Sequence, residues 1–227
     1  MKIWIYLVCF LILKSTSGIT QNSPGQLNIS VQTGDLLFCS STSGELSNAI
    51  DRVTQTTKQT HFDHMGIIES VHDTLWVLHA APGKGVCREL ISQFLQPEGK
   101  VINVIAHRLK TIYAKSIPGA IKKANALLGE PYKFSYRLSD KGFYCSEYIF
   151  KIFAADSVFV LNPMTFKDPR TGQFLPAWVE YYGKLGIQIP EGEPGCNPNG
   201  LASSEKLDLL GMIKLVRAPI EVGPGLK

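Results

Sequence analysis

Short apolar runs bounded by turn residues recur along the chain after its first 33 residues. Leu36–Cys39, for example, follows Gly34 and Asp35 and is followed by a polar segment. Runs of this length between Gly, Pro, Asn and Asp are typical of β-strands, and a short turn between two of them indicates an antiparallel hairpin. The strands predicted on this basis cover residues 36–39, 64–68, 75–80, 86–88, 101–109 and 212–216.

Other segments place their apolar residues at helical spacing. In residues 43–56 they recur at i, i+4 and i+7 from Leu46, which predicts an amphipathic helix. Pro118 and Gly129 mark the beginning and the end of a second helix, as proline and glycine commonly do. Further predicted helices cover residues 145–155 and 176–185, and residues 88–95 are predicted to form a helical turn. Strands flanked by helices and joined by hairpin connections predict an α+β fold.

The N-terminus has the pattern of a secretory signal peptide over residues 1–18. Met1 and Lys2 precede an apolar run of 11 residues, Ile3–Leu13, and small residues follow it. The run is too short to span a bilayer, so cleavage and export are expected, to the periplasm or the medium. An uncleaved N-terminal anchor is the alternative. Residues 19–33 are then a loose lead-in, and residues 34–227 form one domain.

Removal of this segment lowers the formal net charge from +4 to +2, because it carries Lys2 and Lys14 and no acid. A charge this small gives no reason to expect a nucleic-acid partner. No other segment reaches 18 consecutive apolar residues, so no stable membrane span is expected.

Four cysteines remain after cleavage: Cys39, Cys87, Cys145 and Cys196. Cys145 opens a predicted helix, where unpaired N–H groups and the helix dipole favour a thiolate, so a lowered thiol pKa is expected. The alternative is a small apolar core residue. If Cys145 is reactive it stays free, and the other three cysteines allow at most one internal disulfide.

His64 and His79 flank the predicted hairpin turn. A turn of two or four residues allows two registers, in which position 79 lies opposite either position 66 or position 64. Both registers place the two imidazoles on one face of the hairpin. Such a pair could act as a catalytic base and its orienting group. The alternative is two ordinary half-buried strand residues.

The block Gly129-Glu130-Pro131-Tyr132, followed by Phe143-Tyr144-Cys145-Ser146, resembles the nucleophile segment of NlpC-type papain-like cysteine peptidases. Gly34-Asp35-Leu36 and His64-Met65-Gly66 resemble strands that follow the cysteine in those proteins but precede it here. The chain is therefore identified as similar to the circularly permuted branch, the YiiX/YebB-like hydrolases, which are related to the lecithin retinol acyltransferases. Further similarity lies in Trp178, Tyr181, Tyr182 and residues 190–200.

The resemblance implies a papain-like fold in which a central antiparallel sheet packs against helices that include the nucleophile helix. It also implies Cys145 as nucleophile, His64 as general base and acid, and His79 as the orienting residue. Tyr132 and Ser146 would contribute to substrate or oxyanion binding, with a stacked core residue as the alternative for Tyr132. Many YiiX-like proteins have glutamate at the third position, and a neutral His79 there should stabilise an imidazolium less well.

The expected function is hydrolysis of an amide in a peptide or a cell-wall-derived fragment, through an acyl-enzyme and without a cofactor. The alternatives are a lipid acyl hydrolase or acyltransferase and an inactive binding module. Zinc held by Cys145, His64 and His79 is a minor alternative, because a fourth ligand is not evident, so no metal is expected. The remaining histidines, His61, His72 and His107, are expected in solvated or loop positions.

Overall fold

A computed structural model describes residues 26–40, 44–58 and 60–216 of the chain. The predicted signal segment 1–18 and the first part of the lead-in lie outside the described residues. Among the residues that are described, no helix has both the length and the apolar character needed to cross a bilayer.

The described residues form short strands and helices that alternate along the chain. The strands are β1 (Gln26–Leu27), β2 (Leu36–Ser40), β3 (His64–Val71), β4 (Thr74–Ala81), β5 (Gly85–Leu90), β6 (Asn103–Leu109), β7 (Asn162–Pro163), β8 (Pro194–Gly195), β9 (Leu207–Met212) and β10 (Leu215–Val216). The helices are α1 (Glu45–Thr54), α2 (Ile91–Leu95), α3 (Ile117–Ala126), α4 (Cys145–Ile152), α5 (Pro176–Leu185) and α6 (Pro198–Ala202). Short 3-10 segments cover Pro97–Gly99, Thr111–Ser116 and Ala154–Asp156.

Six strands form the central sheet in the order β5-β4-β3-β2-β6-β9, and every neighbouring pair is antiparallel. The β3–β4 turn contains only His72 and Asp73, both with positive φ (46° and 61°), as the tight turns of hairpins require. Ile67 lies opposite Leu78, so Gly66 lies opposite His79, which is one of the two registers that the sequence left open. The expected α+β fold with a central antiparallel sheet is confirmed.

The two faces of the sheet bury different helices because side chains alternate along each strand. One face packs on α3 and α4, and its core includes Phe38, Met65, Leu78, Ala124 and Ile149. The other face is covered by α2 through Phe94 and Leu95. A third cluster joins α1 to α5 through Ala49, Phe166, Trp178 and Tyr182.

Asp35, expected to be a turn former, is fully buried and has a larger structural role. It accepts the backbone N–H of Gln32 at 2.8 Å and two hydrogen bonds from Arg108 at 2.7 Å each. These bonds hold the beginning of β2 against β6.

Three sequence-based boundaries differ from the structure. Residues 26–33 are not a loose lead-in, because β1 pairs with β10 and Leu27, Ile29 and Val31 pack on the core. The last strand of the sheet is β9, which precedes the predicted strand 212–216 and exposes Leu209 at the sheet edge. β5 extends to Leu90, through residues that were predicted to be helical. By contrast, α5 has the predicted bounds and ends at Gly186, whose φ of 67° suits a helix stop.

Candidate active site

Cys145 is the first residue of α4, and its sulfur lies between that helix and the beginning of β3. Tyr144, the residue before the helix, is extended and offers no side-chain cap, so the backbone N–H groups of the first turn are left for other partners. The sulfur receives hydrogen bonds from the backbone N–H groups of Ser146 and Met65. The thiol in turn faces the carbonyl oxygen of Asp63 at 3.9 Å.

The protonation state of Cys145 differs from the sequence-based expectation. Burial raises the pKa of the Cys145 thiol to about 12, although the backbone N–H groups of Ser146 and Met65 act in the opposite direction. Burial can shift a pKa by several units, whereas the helix N-terminus contributes about 0.3–1 kcal/mol and rarely more than about 2. The prediction of a lowered thiol pKa is therefore wrong, because burial favours the neutral thiol of Cys145.

His64 and His79 form a hydrogen-bonded pair on one face of the β3–β4 hairpin. Nε2 of His64 lies 2.8 Å from Nδ1 of His79, and the two rings meet edge to face with centroids 5.1 Å apart. Gly66 makes room for this contact, because a Cβ there would lie 3.2 Å from the Cβ of His79 and 2.6 Å from Cγ1 of Val77. Burial, and after it the neighbouring His79, lowers the pKa of His64 to about 3, so His64 is neutral at physiological pH.

Glu89 on β5 is hydrogen-bonded to the second histidine of this pair, and the sequence did not predict that contact. Its Oε2 lies 3.1 Å from Nε2 of His79, and Lys84 forms an ion pair with its other oxygen. The hydrogen bond from His79 and the ion pair with Lys84 lower the pKa of Glu89 to about 2. His64, His79 and Glu89 therefore form a continuous hydrogen-bonded relay that ends on a carboxylate.

The segment before α4 is fixed to the edge of the central sheet. The N–H of Val86 on β5 donates to the carbonyl oxygen of Glu130 at 2.8 Å, and the N–H of Phe143 donates to the carbonyl oxygen of Pro131 at 3.0 Å. Gly142 is required at this crossing, because its φ is 93° and a Cβ would lie 2.3 Å from the oxygen of Pro131. Tyr132 is thereby held beside the beginning of α4.

The side chain of Tyr132 reaches the same cavity as Cys145, whereas the hydroxyl of Ser146 is engaged elsewhere. Tyr132 is half-buried and its hydroxyl is hydrogen-bonded to that of Tyr136; burial, with a smaller contribution from Cys145, raises its pKa. Ser146 donates its hydroxyl to the carbonyl oxygen of Cys196 at 3.0 Å. Ser146 therefore contributes its backbone N–H, and not its hydroxyl, to the surroundings of the Cys145 sulfur.

Glu147 in the first turn of α4 forms a buried ion pair with Lys133, with the ammonium nitrogen 2.8 Å from the carboxylate. An acid at this position suits the helix dipole. Because Lys133 directly follows Tyr132, the pair also fixes Tyr132 to α4, a contact that the sequence pattern did not predict.

A cavity of about 590 Å³ opens over Cys145, and His64, Tyr132 and Ser146 also line it. Its remaining wall is mainly apolar and aromatic and includes Leu46, Ile50, Val53, Tyr136, Phe159, Met164, Phe166 and Trp178. His79 and Glu89 do not line the cavity; they lie behind His64. A substrate held here would meet the sulfur and one imidazole, with the rest of the relay shielded from it.

The other histidines and cysteines are placed as follows. His61 is exposed and pairs with Asp51, and His72 lies in the hairpin turn, as expected. His107 is instead buried on β6 against Phe38, so its prediction as a solvated residue is wrong. The four cysteines at positions 39, 87, 145 and 196 are free thiols.

Among the residues that the structure describes, one group of side chains with potential metal-binding atoms lies at the far end of the relay. The side-chain ligand atoms of His79, Cys87 and Glu89 all lie within 4.8 Å of one another. The zinc ligands considered from the sequence were Cys145, His64 and His79. This group shares only His79 with that set.

Comparisons with known proteins agree with this architecture. A family model described as a permuted papain-like amidase enzyme, YaeF/YiiX, C92 family, matches residues 30–211. The chain is also similar to a solved structure described as the metalloprotein YiiX from Escherichia coli O157:H7, with a TM-score of 0.61 and 23% identity. That match covers 79% of this chain and 96% of the other, and at this identity it shows the shared fold. The comparison with curated proteins found no match.

Proposed function

The chain belongs to the permuted papain-like amidase family, a family of cysteine hydrolases, and we propose that it cleaves an amide bond with Cys145 as nucleophile. One observation carries the proposal: Cys145, at the beginning of α4, and His64, at the beginning of β3, line a single cavity. Behind His64 lies a hydrogen-bonded path to a carboxylate, and such a path can hold a general base in one orientation and tautomer.

The reaction begins from neutral partners, because burial keeps Cys145 protonated and His64 unprotonated. Nε2 of His64 is engaged with His79, so Nδ1 is the nitrogen available to the thiol. When the sulfur attacks the carbonyl carbon, Nδ1 accepts the thiol proton in the same step. Catalytic hydrogen bonds are often long before substrate binds, and the contact between thiol and imidazole forms in the complex.

The relay stabilises the imidazolium that this step creates. Nε2–H of His64 donates to Nδ1 of His79, and Nε2–H of His79 donates to Glu89, so every donor faces an acceptor. The expected weakness of a neutral histidine in the third position is offset, because Glu89 supplies the negative charge one ring further away. His79 and Glu89 act through His64 and are positioning residues.

The amide bond then breaks, and His64 transfers its proton from Nδ1 to the leaving amine. The acyl group remains on Cys145 as a thioester. Water attacks this thioester, His64 accepts a proton from the water, and the acid and the free thiol are released. The backbone N–H groups near Cys145 and the hydroxyl of Tyr132 face the developing oxyanion, where such donors are most effective.

The cavity indicates what the acyl group looks like. Its wall is built mainly from aliphatic and aromatic residues of α1, α5 and the adjoining loops, including Leu46, Ile50, Phe166 and Trp178. An apolar group next to the scissile bond would therefore gain binding energy here. We propose a peptide or cell-wall fragment with an apolar residue on its acyl side, and the same wall favours a lipid acyl substrate as the second candidate.

The proposed site of action is outside the cytoplasm, in the periplasm or the medium, because residues 1–18 have the secretory pattern. Intact-mass measurement of the protein purified from a secreting host tests this part. A mature chain that begins near residue 19 supports export, and a full-length chain contradicts cleavage.

The catalytic proposal is tested with two anilides of leucine, one N-acetylated and one N-decanoylated, and with a p-nitrophenyl decanoate ester. We expect faster turnover of the decanoylated anilide and a thioester adduct on the Cys145 peptide by mass spectrometry. Cys145→Ala should lower the rate by at least about 1,000-fold. Cys196→Ala is the matched control, since Cys196 is a second thiol in the same cavity.

The same experiment separates the alternatives. Turnover of the ester without turnover of either anilide would replace the amidase by the lipid acyl hydrolase. Binding of the decanoyl compounds without turnover or adduct would leave an inactive binding module and refute the proposed activity.

A further inference from the structure

A second cluster of chemically competent side chains lies on β4 and β5, outside the substrate cavity. Cys87 lies directly opposite His79 in the β4–β5 ladder, and Glu89 is two residues further along β5. Because strand side chains alternate with period two, all three project from the same face of the sheet. The amidase proposal uses His79 and Glu89 but gives no role to Cys87.

Two distances within this cluster are close to those between ligands of a tetrahedral zinc ion. Nε2 of His79 lies 3.4 Å from Sγ of Cys87 and 3.1 Å from Oε2 of Glu89. Zinc bonds of about 2.0–2.3 Å at tetrahedral angles place N, O and S ligands about 3.3–3.6 Å apart. The third pair, Cys87 and Glu89, has its ligand atoms within 4.8 Å of each other, so rotation of these two side chains toward each other would place all three atoms on one ion.

The chemistry and accessibility of the cluster also suit zinc. An imidazole, a thiolate and a carboxylate are all zinc ligands, and together they neutralise its double charge. Cys87 and Glu89 are half-buried, so an ion can reach them from solvent and keep a water molecule in the fourth position. Lys84 competes for Glu89, but its side chain is 61% exposed on a turn, so the ion can displace it readily.

We propose that His79, Cys87 and Glu89 form a Zn²⁺ site whose occupation switches off the catalytic relay. Nε2 of His79 then binds the ion, and the thiol proton of Cys87 passes to solvent. The remaining ring proton of His79 lies on Nδ1 and is donated to Nε2 of His64. The proton of His64 must then lie on Nδ1, the nitrogen that has to accept the proton of Cys145.

The inhibitory part rests on the proposed amidase function, whereas the metal site itself does not. Two readouts that need no turnover test the site first. Cobalt(II) added to the full-length protein should give the near-ultraviolet charge-transfer band of a cobalt–thiolate bond. Cys87→Ser should abolish the band, and Cys145→Ala, the matched control, should keep it.

Affinity for Zn²⁺ can be measured by competition with a coloured chelator. Removal of a direct ligand in Cys87→Ser should weaken binding by at least about 100-fold, since even outer-shell partners change affinity 10- to 100-fold. Lys84→Met should tighten binding by about two- to five-fold, because it removes an exposed competing ion pair. Loss of the cobalt band in Cys145→Ala with retention in Cys87→Ser would refute the site.

The coupling to the relay is read from the imidazole ¹⁵N spectrum. Addition of Zn²⁺ should move the His64 proton from Nε2 to Nδ1 in the wild-type protein and not in Cys87→Ser. Zn²⁺ should also inhibit amide hydrolysis by the wild type and leave Cys87→Ser active. If zinc binds but the His64 tautomer and the rate do not change, the inhibitory role is refuted; if no amide is hydrolysed, the cobalt and ¹⁵N results still decide the site.

Discussion

The role assigned to Glu89 gives the sharpest quantitative prediction. Glu89→Gln keeps an oxygen that can accept the N–H of His79 but removes the negative charge. Oε2 of Glu89 lies 3.1 Å from Nε2 of His79, and Nδ1 of that ring lies 2.8 Å from His64. With the width of the imidazole included, the carboxylate is about 8 Å from the ring of His64, which at an effective dielectric constant of about 20 is worth about 2 kcal/mol. We expect kcat on the decanoylated anilide to fall about 30-fold with KM little changed.

The assay must separate a relay from a general loss of structure. Glu180→Gln is the control, because Glu180 is an exposed carboxylate that pairs with Lys184 on α5. The same Glu89→Gln change is then made in a His79→Gln background. If Glu89 acts through His79, the second change adds little to the first, since coupled residues are not additive. A rate within two-fold of wild type for Glu89→Gln, or full additivity with His79→Gln, would refute the relay.

Three further predictions concern single side chains. Tyr132→Phe should lower kcat by about 100-fold with little change in KM, because one oxyanion donor is lost while the ring still packs against Phe134; an unchanged kcat would make Tyr132 a packing residue. Alkylation of Cys145 by iodoacetamide should slow about ten-fold per pH unit between pH 9 and pH 6, because burial raises the pKa of this thiol to about 12 and only the thiolate reacts; a flat profile would indicate a preformed thiolate. Burial, with a smaller contribution from Lys58, lowers the pKa of His107 to about 4, so between pH 6.5 and pH 4 the unfolded chain binds more protons and stability decreases as the pH falls. His64, whose pKa burial lowers to about 3, also reduces stability over the same pH range in both proteins, so the test is the difference between them. Urea unfolding should show a loss from pH 7 to pH 5 that is about 2 kcal/mol larger in the wild type than in His107→Phe, and parallel profiles would contradict this account.

The elements that carry the site were predictable because their signals are local. Apolar runs between turn residues gave β2, β3 and β4, and a proline gave the first residue of α5. The alternation of side chains along the two strands of the hairpin predicted His64 and His79 on one face. The structure has the register in which Gly66 lies opposite His79. The residue pattern around position 145 predicted a helix that begins at Cys145, where the structure has it.

Glu89 was not predictable from the same signals because β5 ends later than its apolar run suggests. Val86 and Cys87 read as a short strand, and the residues from Arg88 onward have helical spacing. Pairing with β4 as far as Leu90 overrides that local preference and turns Glu89 toward His79. Non-local pairing of this kind leaves little trace in a window of a few residues.

The protonation of Cys145 was also beyond reach of the sequence, for an energetic reason. A helix N-terminus is visible in the sequence, but the degree of burial that opposes it depends on how β3, α4 and the cavity wall close around the sulfur. Since desolvation is the larger effect, the sign of the shift comes from tertiary packing.

The residue that contacts the imidazole of His64 is a histidine, His79, and not a carboxylate, and this affects the whole site. With a carboxylate in direct contact with the catalytic imidazole, the relay would end inside the protein. Here His79 occupies that position, and the charge lies one ring further out on Glu89, beside the exposed Lys84 and the half-buried Cys87. The same residues that complete the relay therefore lie where a metal ion can reach them, which joins catalysis and its proposed inhibition in one hydrogen-bonded path.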